Sequence, residues 1–193
     1  KICEKLGLPL GQAKVKTFSD GEVRVEIGEN VRGRDVYIVQ STCSPTNNNL
    51  MEILVMMDAL KRASADKITA VIPYYGYARQ DRKVAARSPI TSKLVADLLT
   101  VAGADRVVTI DLHAGQIQGF FNIPVDPVTA LPLLANYFRK PEYENAAIVS
   151  PDVGRASLAG KYAGLLDLPL VIMHKRRSGF SDVRTTHVVG DIN

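Results

Sequence analysis

Residues 67–81, KITAVIPYYGYARQD, set a β-branched apolar run directly against a polar end rich in reactive groups. The same grammar recurs at 106–113, RVVTI then DLH, and at 146–152, AAIVS then PD. Such runs have the composition of strands buried on both faces of a parallel sheet. Ligands of open α/β sheets sit in the crevice outside the carboxyl ends of the strands. Arg79, Gln80, Asp81, Asp111, His113 and Asp152 are therefore expected on one edge, although they lie far apart in the chain. Cations, carboxylates and an imidazole together suit a phosphorylated ligand held with a divalent metal.

Outward from these runs, strands alternate with helical patterns. Asp35–Ser41 reads as a strand. Asn47–Ala65 reads as an Asn-capped amphipathic helix, with Leu50, Ile53, Leu54, Met57 and Leu60 at helical spacing. Its methionines are expected in the core. Ser88-Pro89 offers a cap and a first-turn proline for a helix through Ala102 that stops at Gly103. Arg106–Asp111 is a strand. Helices are expected around Ala130–Phe138 and up to about Leu165, with strands at Ala146–Ser150 and Pro169–Met173. Repeated strand–helix–strand units imply an α/β fold with a parallel sheet and right-handed crossovers. The polar, proline-bearing stretch Arg139–Asn145 is the best seam, dividing residues 1–140 from the start of a second α/β unit at 141–193. KICEKLGLPLG reads as the end of a helix and VVGDIN as a strand with more to follow, so both ends read as cut.

The chain has 193 residues, 46% hydrophobic and 23% charged, which is an ordinary globular composition. A net charge of +4 suits small anionic ligands and gives no argument for a nucleic-acid partner. Two cysteines, Cys3 and Cys43, make no ligand cluster, and reduced thiols in a cytoplasmic protein are expected. No apolar run reaches the roughly 18–20 residues of a membrane span, and the opening residues lack a signal pattern.

Between Tyr77 and Arg87 stand four cations, Arg79, Arg82, Lys83 and Arg87, against Asp81 alone. A solvated loop is the plain explanation. Its place between a strand end and a helix cap favours a mobile lid over phosphates. Asp111 and His113, at i and i+2, would share a face of an extended segment. His174–Arg177 (HKRR) follows the apolar run PLVIM, again at a carboxyl end, where cations would stabilise a phosphoryl-transfer transition state. Neither a Walker A pattern nor GxGxxG occurs, which counts against a P-loop kinase and a dinucleotide enzyme.

Taken in order, FSDGEVRVEIGENVRG, VIPYYGYARQDRK, DLHAGQIQGFF, IVSPD and HKRR resemble the ribose-phosphate pyrophosphokinase (phosphoribosyl-pyrophosphate synthetase) family over nearly the whole chain. The resemblance implies two phosphoribosyltransferase-like α/β domains in tandem, the second truncated here. It implies transfer of the β,γ-diphosphoryl group of ATP to ribose 5-phosphate, with release of AMP and with Mg2+ as cofactor. Phe18, Asp20 and Glu22 match the segment that contacts adenine across a subunit interface, so a homo-oligomer is implied, dimer-based and hexameric in the family. Arg79, Gln80 and Asp81 match the ATP-binding strand end, His113 and Asp152 the magnesium–nucleotide ligands, and Lys175 and Arg177 the transition-state cations. Arg32 and Arg87 fall in regions linked to the regulatory site.

The chain departs from the pattern in three places. The family's first strand would precede Lys1, and its acidic loop for ribose 5-phosphate would follow Asn193. After Asp152, Arg155 and Leu158 stand where many members have a glycine and a basic residue. A regulatory paralogue would be expected to lose His113, Lys175 or Arg177, which are all present. A phosphoribosyltransferase would not need the Phe18–Glu22 segment, and a nucleic-acid binder would interleave aromatics with its cations.

Overall fold

The computed structural model describes residues 1–177 and 183–190, at backbone level alone over 175–177 and 183–186. Two compact units, Lys1–Val128 and Thr129–Asn193, divide the chain.

In the first unit, α1 (Ile2–Leu6) ends on Gly7 at φ +65, and the amides of Gly7 and Leu8 return to the carbonyls of Glu4 and Cys3. β1 (Ala13–Thr17) and β2 (Val23–Ile27) form a two-stranded antiparallel ribbon. A four-stranded, all-parallel sheet follows. Its order is β3 (Asp35–Val39), β4 (Lys67–Ile72), β5 (Arg106–Ile110) and β6 (Val125–Val128). The crossover helices are α2 (Thr46–Arg62) and α3 (Thr91–Ala102), which pack on each other. Ile53, Met57 and Leu60 of α2 meet Val95, Ala96 and Leu99 of α3 over Ile68, Ala70 and Ile72 of β4 in one cluster. Met57 is fully buried and Met56 partly so, whereas Met51 is exposed, so the methionines of α2 belong to the core only in part. Each large apolar side chain so buried contributes about 1.5–3 kcal/mol.

In the second unit, α4 (Leu131–Tyr137) packs against α5 (Ala156–Leu166). The sheet order is β7 (Ile148–Ser150), β8 (Leu170–Arg177), β9 (Val183–Val189), with β7 parallel to β8 and β8 antiparallel to β9. Because α4 belongs with α5, the units part at Val128/Thr129 and not at the polar Arg139–Asn145 seam.

Four local expectations need correction. The cap position of α2 is Pro45, which has no side-chain acceptor. Asn49 instead donates from Nδ2 to the Cys43 carbonyl at 2.9 Å. α3 starts at Thr91 behind Ile90, because Ser88 is occupied in its own loop: its hydroxyl donates to the Ala85 carbonyl and accepts from the amides of Val84 and Ala85. β8 does not stop at Met173. It runs on through the HKRR cluster, because β9 pairs with it as far as Arg177. Finally, Asp111 has φ +47, so the alternation that would set Asp111 and His113 on one face is broken at its first residue.

Candidate functional site

The carboxyl ends of β3 and β4 are locked together by one threonine. Thr42 is 2% exposed, and its hydroxyl donates to the Tyr74 carbonyl at 2.9 Å while accepting from the Gly76 amide at 2.7 Å. The contact demands glycine. A Cβ on Gly76 would lie 2.5 Å from the Thr42 carbonyl oxygen and 2.9 Å from Thr46 Cγ2. Tyr77, at φ +62, turns the chain outward and donates its hydroxyl to Asn47 Oδ1 at the start of α2.

These contacts enclose a cleft of about 460 Å³, lined among others by Thr46, Asn47, Tyr74, Gly76, Tyr77, Arg79 and Gln80. Its wall combines the first turn of α2, where backbone N–H groups lack intrahelical acceptors, with the exposed guanidinium of Arg79. Such a combination favours an anion. Gln80 anchors the far side: its carbonyl accepts from the Ser92 amide at 3.1 Å, and its side chain accepts from the Thr91 hydroxyl. Arg79 faces the cleft, whereas Gln80 fastens the loop to α3.

The β4 and β5 edges meet through one side-chain bond. Gln116 Nε2 donates to Asp81 Oδ2 at 3.0 Å, tying the end of YARQD to the short 3-10 helix Gly115–Phe120. β4 and β5 are register neighbours, Ile72 opposite Thr109, so their ends come out side by side. Asp81, Asp111, His113 and Gln116 thus belong to one rim, with Asp111 and His113 exposed. Gln116 was not singled out from the sequence. The signal was present in AGQIQGFF, where glycines and glutamines offered no way to tell which amide faces the acid.

Phe18, Asp20 and Glu22 form the tip of the β1–β2 ribbon. Phe18 and Gly21 close the turn through the backbone, and the Glu22 amide donates to Asp20 Oδ1 at 3.1 Å. The Asp20 carboxylate is therefore used in shaping the tip. The Phe18 ring is 48% exposed, with the Arg24 guanidinium 5.9 Å from its centroid. Arg32 lies before β3, at the amino edge of the sheet, where its amide donates to Asn30 Oδ1. Arg87 lies at φ +63 in the exposed loop between β4 and α3.

In the second unit Asp152 follows β7. Its Oδ1 accepts from the Arg155 amide at 3.0 Å, while the buried Ser150 donates to the Asp152 carbonyl at 2.7 Å. The acid caps the turn Val153–Arg155 that leads into α5. Arg155 takes φ −103 and ψ 0, open to any residue, so the position does not require glycine. Leu158 is 40% exposed on α5. Lys175 and Arg177 lie on β8, with side chains outside those described.

This combination defines a class, an α/β protein with a cleft at the carboxyl edge of a parallel sheet whose lining favours anions. The family profile described as the N-terminal domain of ribose phosphate pyrophosphokinase matches residues 1–103. The chain is 58% identical over 195 residues to a ribose-phosphate pyrophosphokinase of Clostridium perfringens, along 100% of its own length and 61% of that protein. It is 56% identical over 193 residues to one of Rhizobium meliloti, along 100% of its length and 62% of that protein. The crystal structure of phosphoribosylpyrophosphate synthetase from Mycobacterium smegmatis matches with a TM-score of 0.86 at 46% identity, over 98% of this chain and 62% of that one. The chain belongs to the ribose-phosphate pyrophosphokinase family, and it spans about 61% of the length of the curated relatives it matches.

Proposed function

We propose that the chain works as a ribose-phosphate diphosphokinase, passing the diphosphoryl group of magnesium-bound ATP to the C1 hydroxyl of ribose 5-phosphate. The sugar oxygen forms a bond to the β-phosphorus, and the bond from that phosphorus to the α,β-bridging oxygen breaks. AMP leaves, the hydroxyl proton passes to solvent, and phosphoribosyl pyrophosphate remains. The observation that carries this reading is the Asp81–Gln116 bond, which joins the two strand ends beside an anion-favouring cleft in a member of this family.

Among the described residues no three His, Cys, Asp or Glu side chains gather into a cation cage. The carboxylates of Asp81 and Asp111 on the rim suit a hydrated magnesium that arrives on the triphosphate, since this ion keeps waters and takes one or two carboxylates with substrate oxygens. When bound, the metal offsets charge on the phosphoryl oxygens. Arg79 binds the nucleotide at the cleft, Gln80 and Gln116 hold the two loops, and His113 and Asp152 orient the metal–nucleotide complex. Lys175 and Arg177 offset charge that shifts between the bridging oxygens. Phe18, Asp20 and Glu22 reach the adenine of a neighbouring copy in a cytoplasmic homo-oligomer, and Arg32 and Arg87 serve a regulatory anion.

Calorimetry tests the nucleotide part of this reading on the 193-residue chain. Mg-ATP should bind, and binding should weaken at least tenfold in EDTA and in Arg79→Ala or His113→Ala. Equal affinity under all four conditions contradicts it.

A further inference from the structure

Asn47 lines the cleft together with Arg79, and the hydroxyl of Tyr77 donates to its Oδ1. We propose that Asn47 is a phosphate-binding residue: the bond from Tyr77 fixes its amide, and Nδ2 donates to a phosphoryl oxygen of the anion that Arg79 pairs with. The inference rests on the nucleotide reading of this cleft and adds to it a donor, Asn47, and a positioning residue, Tyr77.

Both partners of that bond are held from outside the cleft. On the Asn47 side, Asn49 donates from Nδ2 to the Cys43 carbonyl at 2.9 Å, and Gln40 donates from Nε2 to Glu52 Oε2 at 2.9 Å. These two bonds tie the first turns of α2 to the end of β3. On the Tyr77 side, the Gly76 amide donates to the Thr42 hydroxyl at 2.7 Å, and the Gln80 amide returns to the Tyr77 carbonyl at 2.9 Å. A carboxamide carries its oxygen and its NH2 group on opposite edges of one plane, so engaging Oδ1 settles where the donors stand. Among the described residues Nδ2 has no protein acceptor.

The residue type fits the task. No carboxylate is among the described residues that line the cleft, so nothing there competes with an anion for Arg79. An aspartate at position 47 would accept the Tyr77 bond equally well, but it would set a negative charge against the phosphate. Asparagine keeps the acceptor and supplies a neutral donor, and a hydrogen bond to an ionised acceptor is stronger than one between neutral groups.

Calorimetry on the 193-residue chain tests this with Mg-ATP and, separately, with magnesium tripolyphosphate. Affinity for both should fall roughly tenfold in Asn47→Ala, the scale of one hydrogen bond to a charged group, and further in Asn47→Asp. Tyr77→Phe should lose less, and the Asn47→Ala, Tyr77→Phe double variant should bind no more weakly than Asn47→Ala alone. Ligand-free melting curves show which variants are folded, and Asn47→Asp, which keeps the Tyr77 bond, carries the test if alanine unfolds the cleft. A merely structural role for that bond would leave Asn47→Asp binding as the parent does, and that result overturns the proposal. If Arg79→Ala weakens binding while the folded Asn47 variants bind as the parent does, the proposal falls and the nucleotide reading stands. If the parent binds tripolyphosphate through Asn47 but not Mg-ATP, the nucleotide reading falls and the phosphate-binding role stands. A parent that binds neither overturns both.

Discussion

Gly76 sits where the ends of β3 and β4 are joined, and any larger residue must push against the Thr42 backbone carbonyl as well as the Thr46 side chain. Gly76→Ala should therefore lower stability by about 1–3 kcal/mol, as overpacked sites do. The urea midpoint should fall with an unchanged slope. An unshifted midpoint would show that Thr42 and Thr46 can retreat. Its neighbour Tyr75 is 4% exposed and donates to the Ser92 carbonyl at 2.9 Å. Burial pushes its hydroxyl pKa well above the ordinary tyrosine value of about 10. Since the folded form holds this proton more tightly, the stability it provides is complete below about pH 10 and drains away as pH rises further. Melting curves from pH 9 to 11 should fall more steeply for the parent than for Tyr75→Phe. Parallel slopes would mean that Tyr75 ionises as easily inside as outside.

At the scale of elements, the loop between β4 and α3 carries the charges of Arg82, Lys83 and Arg87, all exposed, and it is closed by Ser88 alone among the side-chain bonds described within it. Removing that hydroxyl in Ser88→Ala should speed amide exchange over 84–88 by up to about tenfold, the equivalent of one ordinary hydrogen bond. Mg-ATP should slow exchange over 82–87 in the parent. Identical exchange with and without nucleotide would mark a static surface loop.

The elements that could be read from sequence carry one of three marks: two-sided burial, a β-branched run or a long periodicity. KITAVI declared itself because it is buried on both faces, RVVTI by its β-branched run although only Val107 and Thr109 are fully buried, and the Met-bearing helix by its long periodicity. β6 did not, since Pro127 removes a donor and argues against a strand. As an edge strand, β6 tolerates it. The strand character of HKRR was hidden because pairing with β9, not side-chain pattern, extends β8. Local backbone choices such as φ +47 at Asp111 had no sequence signal, because an aspartate reaches that region without a glycine to announce it.

For the molecule as a whole, Lys175 and Arg177 should act on the chemical step more than on binding, because their charge is most useful as the bridging oxygens gain and lose electron density. The place to measure this is a chimera in which residues 1–193 replace the matching segment of the Clostridium perfringens relative. Lys175→Ala and Arg177→Ala should each lower kcat by about 10²–10³, the scale for removing one charge-stabilising group, with KM for ATP changed far less. Arg176, between them, is the control. If Arg176→Ala costs as much as the other two, the assignment of this cluster to the transition state is wrong.

The same chimera, once shown to be folded and to bind Mg-ATP, gives the most direct measurement of the central claim through its products. Phosphorus NMR of a reaction with ATP, ribose 5-phosphate and magnesium should show AMP and phosphoribosyl pyrophosphate rising in equal amounts, with no ADP. The appearance of ADP, or bound ATP that yields neither product, would contradict diphosphoryl transfer by this chain.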